Sequence, residues 1–283
     1  MPRLKRAPRG AVLAELVVAF TLASLVAAAA AVAMAGVERY ARRTSLASED
    51  RRTVREAEQS LAGDLRAAAA DSLVLRGDTA AEFVGLVGTS VACVVGPSHM
   101  VLPSDLSTIA VPFTVWRALP ASGDLVAVFD TTPPGAWRIA FVDSVTARPD
   151  GAGCTPATGF VSSADSAARR PASRLLLDRS LGAGVGAGAP VRLLRRGRYV
   201  LTHAADRSWS LSYRSCDAAR VCGVAQPVAG PLATPSDLGL VFALDARAAR
   251  LEAAVRTPLR EAGSPRTSRH VIISLRNRVG SVP

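Results

Sequence analysis

RGAVLAELVVAFTLASLVAAAAAVAMAGV, residues Arg9 to Val37, decides how the rest of the chain is read. From Leu16 to Val37 it runs 22 residues without a charge, and only Thr21 and Ser24 carry side-chain hydroxyls. About 20 apolar residues in a helix cross a bilayer. Glu15 stands at the start of that run, where an ionised carboxylate costs a few kcal/mol on insertion scales. Arg3, Lys5, Arg6 and Arg9 precede the run with no acid among them. By the positive-inside rule they hold the N-terminus in the cytoplasm and place everything after Val37 outside it.

Three readings fit such a run. Ordinary signal-peptide removal is one, because AMAG (Ala33 to Gly36) has the small-x-small cleavage pattern. The run is longer than the 7–15 residues of a signal h-region, however, and carries an acid near its start. A plain membrane anchor is the second, and it leaves Glu15 without a purpose. The third uses every feature. A short basic leader ending in Gly, then an apolar helix with Glu at its fifth position, resembles the class III signal of type IV prepilins and type II secretion pseudopilins. The leader here is MPRLKRAPRG, residues 1–10. The resemblance implies cleavage by prepilin peptidase after Gly10, which makes Ala11 the first residue, Glu15 the fifth, and the new amine a site of methylation. Ala11 stands where the pattern usually has Phe or another large residue. The resemblance also gives Glu15 a role in assembly. In such filaments the helices pack side by side, and the carboxylate neutralises the N-terminal ammonium of a neighbouring subunit. A buried charge is far less costly paired than alone.

The helix is expected to continue to Ala70. No proline occurs from Ala11 to Ala70, and Val54, Ala57, Leu61, Leu65 and Ala68 recur at spacings of three and four. That is one face of an amphipathic helix. After Asp71 short β-like runs alternate with Gly, Pro, Ser and Asp. SWSLSYR sets Trp209, Leu211 and Tyr213 against Ser208, Ser210 and Ser212, and RYVLTH before it, joined by AADR, reads as a hairpin. Further strands are expected in IAVPFTVW, DLVAVFD, WRIAFVDSV, LGLVFAL and HVIISLR, with a turn at Pro133, Pro134 and Gly135. GAGVGAGA, Gly182 to Ala189, reads as a flexible loop, and DARAARLEAAVR fits a helix or a strand pair equally well. The expected fold is α+β: residues 1–10 leader, 11–37 transmembrane half-helix, 38–70 amphipathic half-helix and 71–283 a β-rich head. LSYR (Leu211 to Arg214), the strand in LGLVFAL and ISLRNR (Ile273 to Arg278) make the head similar to J-type minor pseudopilins and W-type minor pilins.

An even number of cysteines in an exported domain suggests two disulfides. The short CDAARVC loop makes Cys216–Cys222 the easiest pair to close, leaving Cys93–Cys154; buried free thiols are the alternative. Net charge is +11, yet the arginines are scattered and aromatics are 5%. That pattern does not point to nucleic acid. His99, His203 and His270 stand in no paired-ligand spacing, Cys93 with His99 falls short of a zinc site, and there is no GxSxG or P-loop. No enzyme activity, metal or cofactor is expected. The expected partners are other subunits of a filament, the peptidase and the inner membrane, with the head in the periplasm. The function this implies is a structural minor subunit in filament initiation or at the tip. Two alternatives are a pilus-associated subunit that binds DNA or a surface, and an exported protein on a simple anchor.

Overall fold

The computed structural model describes residues 9–103, 114–148, 172–204, 206–245, 247–260 and 266–275. One helix, α1 (Arg9–Arg66), is followed by an antiparallel β-rich head, the α+β layout expected. The chain divides into two compact units, residues 1–52 and 53–283, so the division falls inside α1.

The second unit carries fourteen strands among the described residues. They are β1 (Val74–Leu75), β2 (Ala80–Val91), β3 (Val94–Gly96), β4 (His99–Pro103), β5 (Val115–Trp116), β6 (Leu125–Asp130), β7 (Ala136–Arg148), β8 (Ala172–Leu177), β9 (Pro190–His203), β10 (Trp209–Cys216), β11 (Gln226–Leu232), β12 (Leu240–Asp245), β13 (Arg250–Arg256) and β14 (Ser268–Ser274). β12, β13 and β14 form a separate three-stranded meander. The rest form one sheet organised by β9. Along one edge β9 pairs with β2 over nearly its whole length. Its other edge is shared, the first half pairing with β6 and the second half with β10. From β6 the sheet runs on through β7, β8, β4 and β3. It then returns to where it began. Just past β2, Ala92 N–H donates to Ala189 O at 2.9 Å and Cys93 N–H to Val101 O at 2.8 Å, closing a ring of strands.

The two halves of β9 build two cores. Val191 and Leu193 face the inside of the ring with Val87, Met100, Val126 and Leu175. Leu181, Val185 and Ala189 fill the same core. The glycine-rich segment is therefore a packed plug, not the flexible loop its composition suggests. Tyr199 and Leu201, further along the same face of β9, join a second core. There the expected helical face lies against Phe83 and Leu211 of the large sheet and Leu240, Leu251 and Ile273 of the small one. Val54, Ala57, Leu61, Leu65 and Ala68 are all buried, as the period predicts. Fully burying a Leu side chain contributes about 1.5–3 kcal/mol, so this face is what holds the helix in the head.

α1 stops at Arg66, short of Ala70, because the sheet captures the backbone. Ala69 N–H donates to Val84 O at 3.0 Å, and residues Ala70–Ser72 form a 3-10 turn. DARAARLEAAVR resolves to a turn and β13, where Leu251, Ala253 and Val255 are buried and alternate with half-buried residues. Residues 104–113 of the IAVPFTVW region lie outside the described residues; Val115 and Trp116 pair with β2.

One glycine is set by close approach. Gly197 pairs with Phe83 across β2 and β9, on the face where Phe83, Tyr199 and Tyr213 cluster with ring centroids 5.5–6.5 Å apart. A Cβ on Gly197 would lie 2.5 Å from the Tyr213 ring. Gly197→Ala is expected to destabilise the head by about 1–3 kcal/mol through overpacking. An unchanged denaturation midpoint in urea would contradict that placement.

Candidate functional site

In the first unit α1 carries the apolar segment with its side chains uncovered. Phe20 is 72% exposed and Val32 74%, and none of the most apolar window is buried. By length and composition this helix can cross a membrane. Its two hydroxyls are satisfied within the helix: Thr21 Oγ1 donates to Val18 O at 2.9 Å and Ser24 Oγ to Thr21 O at 2.8 Å. Such back-bonding removes the unmet donors that lipid penalises. Glu15 is exposed, and it is the only ionisable side chain between Arg9 and Glu38. The Gly10–Ala11 bond falls inside α1, whose backbone begins at Arg9. Residues 1–8 of the leader lie outside the described residues.

Cys216 and Cys222 are joined by a disulfide that ties the end of β10 to the strand-like return of its own loop. Cys93 is also disulfide-bonded, so it has no thiolate to share with His99 at a metal. Cys154, its expected partner, lies outside the described residues. The ring of His203 sits 5.0 Å from that of Trp209, and His270 Nε2 lies 3.9 Å from a carboxylate oxygen of Glu252. Among the described residues no group of three or more His, Cys, Asp or Glu is placed to hold a metal.

The head also contains charge clusters that the sequence alone did not reveal. Between the two cores, Arg195 grips the buried Asp124 with both ends of its guanidinium, at 2.6 and 2.8 Å. Tyr199 donates to Asp64 of α1 at 2.7 Å, and burial, with Asp64 behind it, pushes the phenol well above its usual range. On the opposite face of the sheet Glu82, 2% exposed, accepts from Arg198 at 2.9 Å and Arg196 at 3.4 Å and lies 3.5 Å from Arg76. Burial raises the Glu82 pKa; the hydrogen bond and charge of Arg198, with Arg76 and Arg196, outweigh it and hold the carboxyl below its usual 4.5. A carboxyl with a depressed folded pKa adds stability above its unfolded value and loses it as pH falls. The melting temperature is therefore expected to hold from neutral pH down to about 4.5 and to drop below it. The gap between wild type and Glu82→Gln should shrink over the same acid range. A gap constant down to pH 3 would show that Glu82 is not the group titrating.

Comparison with known proteins gives no match to a family model, to a characterised sequence or to a solved structure.

Proposed function

We propose that this chain is a minor subunit of a type II secretion or type IV pilus-like filament, acting in filament initiation or at the tip after prepilin peptidase removes residues 1–10. The observation that carries this reading is a lone carboxylate, Glu15, five residues past Gly10, at the head of an uncharged and uncovered apolar helix. A simple anchor has no use for that acid. A subunit that packs helix against helix does, because each Glu15 can meet the free amine that cleavage creates on the next chain. The basic leader holds the N-terminus in the cytoplasm, the apolar half of α1 sits in the inner membrane, and the head lies in the periplasm, where its disulfides persist.

The head supports a structural role in a second way. A cleft in the head, about 270 Å³, is lined by Asp64, Arg117, Arg195, Phe83 and Tyr213. Its one carboxylate and its two cations are already engaged: Asp64 by Tyr199, Arg195 by Asp124, with Arg117 at 3.9 Å from Asp64. Among the described residues that line it there is no His, Cys, Ser or Thr, and no carboxylate without a partner. The test is site-directed crosslinking in native membranes from positions on the uncovered helix, such as Phe20. The expected products join this chain to other short-leader subunits. Crosslinks to lipid and to no subunit, in cells with an active filament, would return the helix to a plain anchor.

A further inference from the structure

Glu82, Arg198 and Arg214 stand directly opposite one another across β2, β9 and β10. Their side chains share the sheet face turned away from the helix. Like charges in directly opposed positions destabilise a sheet, and here Arg198 faces Arg214. Arg198 has Glu82 to answer it. Arg214 is half-buried, and its Nε, like that of Arg198, is buried with no acceptor among the described residues. Beside the row, Arg220 and Arg196 line a small depression with Glu82, Asp71 and Ser72. Arg220 is exposed and sits at the tip of the Cys216–Cys222 loop with a left-handed backbone, φ 66°. Asp217, an acid of that same loop, accepts from the Val221 N–H. Five arginines, with Arg76, thus surround two carboxylates, and the disulfide fixes the loop that carries one of them.

We infer that this face is a docking surface for an acidic segment of a protein partner, whose Asp or Glu side chains enter beside Arg214 and Arg220. The interleaved Glu82 and Asp71 break the patch into separate cationic points rather than a continuous groove. The aromatic side chains of these strands, Phe83, Tyr199, Trp209 and Tyr213, lie on the other face, so among the described residues of β2, β9 and β10 no stacking platform for bases accompanies the arginines. Spaced carboxylates suit such a surface better than a phosphate backbone. The inference does not depend on the filament reading.

The test uses the full chain in detergent micelles, with labelled hexaglutamate as the probe and a short DNA duplex of similar charge as the comparison. Arg214→Gln with Arg220→Gln is expected to weaken peptide binding about tenfold, because two partly desolvated charge contacts are lost. Arg247→Gln, an exposed arginine elsewhere, should change it less than about twofold. Equal losses in the double variant and the control would overturn the inference. So would a double variant that loses DNA and keeps the peptide, which would mark the face as one for nucleic acid. Arg214→Glu separates binding from folding. It places an opposite charge beside Arg198, so the melting temperature should stay at or above wild type while peptide binding is abolished. A fall of more than about 3 °C would assign Arg214 to the stability of the sheet and overturn the docking role.

Discussion

Glu15→Ala is expected to leave a protein that inserts, is cleaved and folds, and that fails to enter a filament. Insertion should be equal or better, because the substitution removes the one costly group at the start of the span. Cleavage after Gly10 should persist, since the peptidase acts on a single chain. The head should melt as before, because its cores are built from Val54 onward. On the proposed reading, what is lost is a pair with the next subunit's amine. Cutting one partner of a desolvated, hydrogen-bonded charge pair costs about 2–5 kcal/mol, which is roughly thirtyfold or more in association. Glu15→Gln keeps the shape and loses the charge, so it should fail nearly as badly. Crosslinking between this subunit and its neighbours in native membranes measures both variants. Wild-type crosslinking by both, with normal secretion or piliation, would make the carboxylate a bystander.

Glu82→Gln is expected to be among the most damaging single changes in the head. It leaves Arg196 and Arg198, with Arg76 close by, around a neutral amide. Breaking a buried ion pair from one side typically costs about 3–5 kcal/mol, because the stranded charge stays buried. That is a large part of the 5–15 kcal/mol by which folded proteins are usually stable. Chemical denaturation should show a lower midpoint with an unchanged slope, since the same surface unfolds. A shift of under about 1 kcal/mol would show that the three arginines reach water when the carboxylate is gone. The same change should also raise the affinity of the outer face for hexaglutamate, since one repelling acid is removed.

The second half of α1 was legible in the sequence because one of its faces is buried and the other wet. Val54 to Ala68 repeats at three and four with charges between, and the structure buries each of those positions. β10 alternates Trp209, Leu211 and Tyr213 with serines, and the β9–β10 hairpin follows from it. β6 is buried on both faces and was legible for another reason: DLVAVFD is a short apolar run, closed by the turn at Pro133 to Gly135 that leads into β7. β2 was not. Ala80 to Val91 is buried on both faces for most of its length, so it shows no alternation to read. DARAARLEAAVR stayed ambiguous for the opposite reason, because Ala and Arg favour a helix while pairing with β12 and β14 makes it a strand. The end of α1 was set by Val84, a residue no local pattern could connect to Ala69. The charge row is the clearest case of non-local assembly. Glu82 and Arg198 are 116 residues apart, and only the register of β2 on β9 brings them together. For Glu15 the balance reverses: its proposed role rests on its place in the sequence, five residues past Gly10, and on the uncovered helix around it.

The central claim is that Ala11 becomes the first residue of the working protein. Mass spectrometry of the N-terminal peptide, taken from native membranes that contain prepilin peptidase, tests it directly. The account predicts a chain shortened by ten residues that begins at Ala11, and full-length protein when Gly10→Val crowds the cleavage site. An N-terminus at Gly36 would establish ordinary signal-peptide removal, and an intact leader on the wild-type chain would leave a plain anchor; either result contradicts the account.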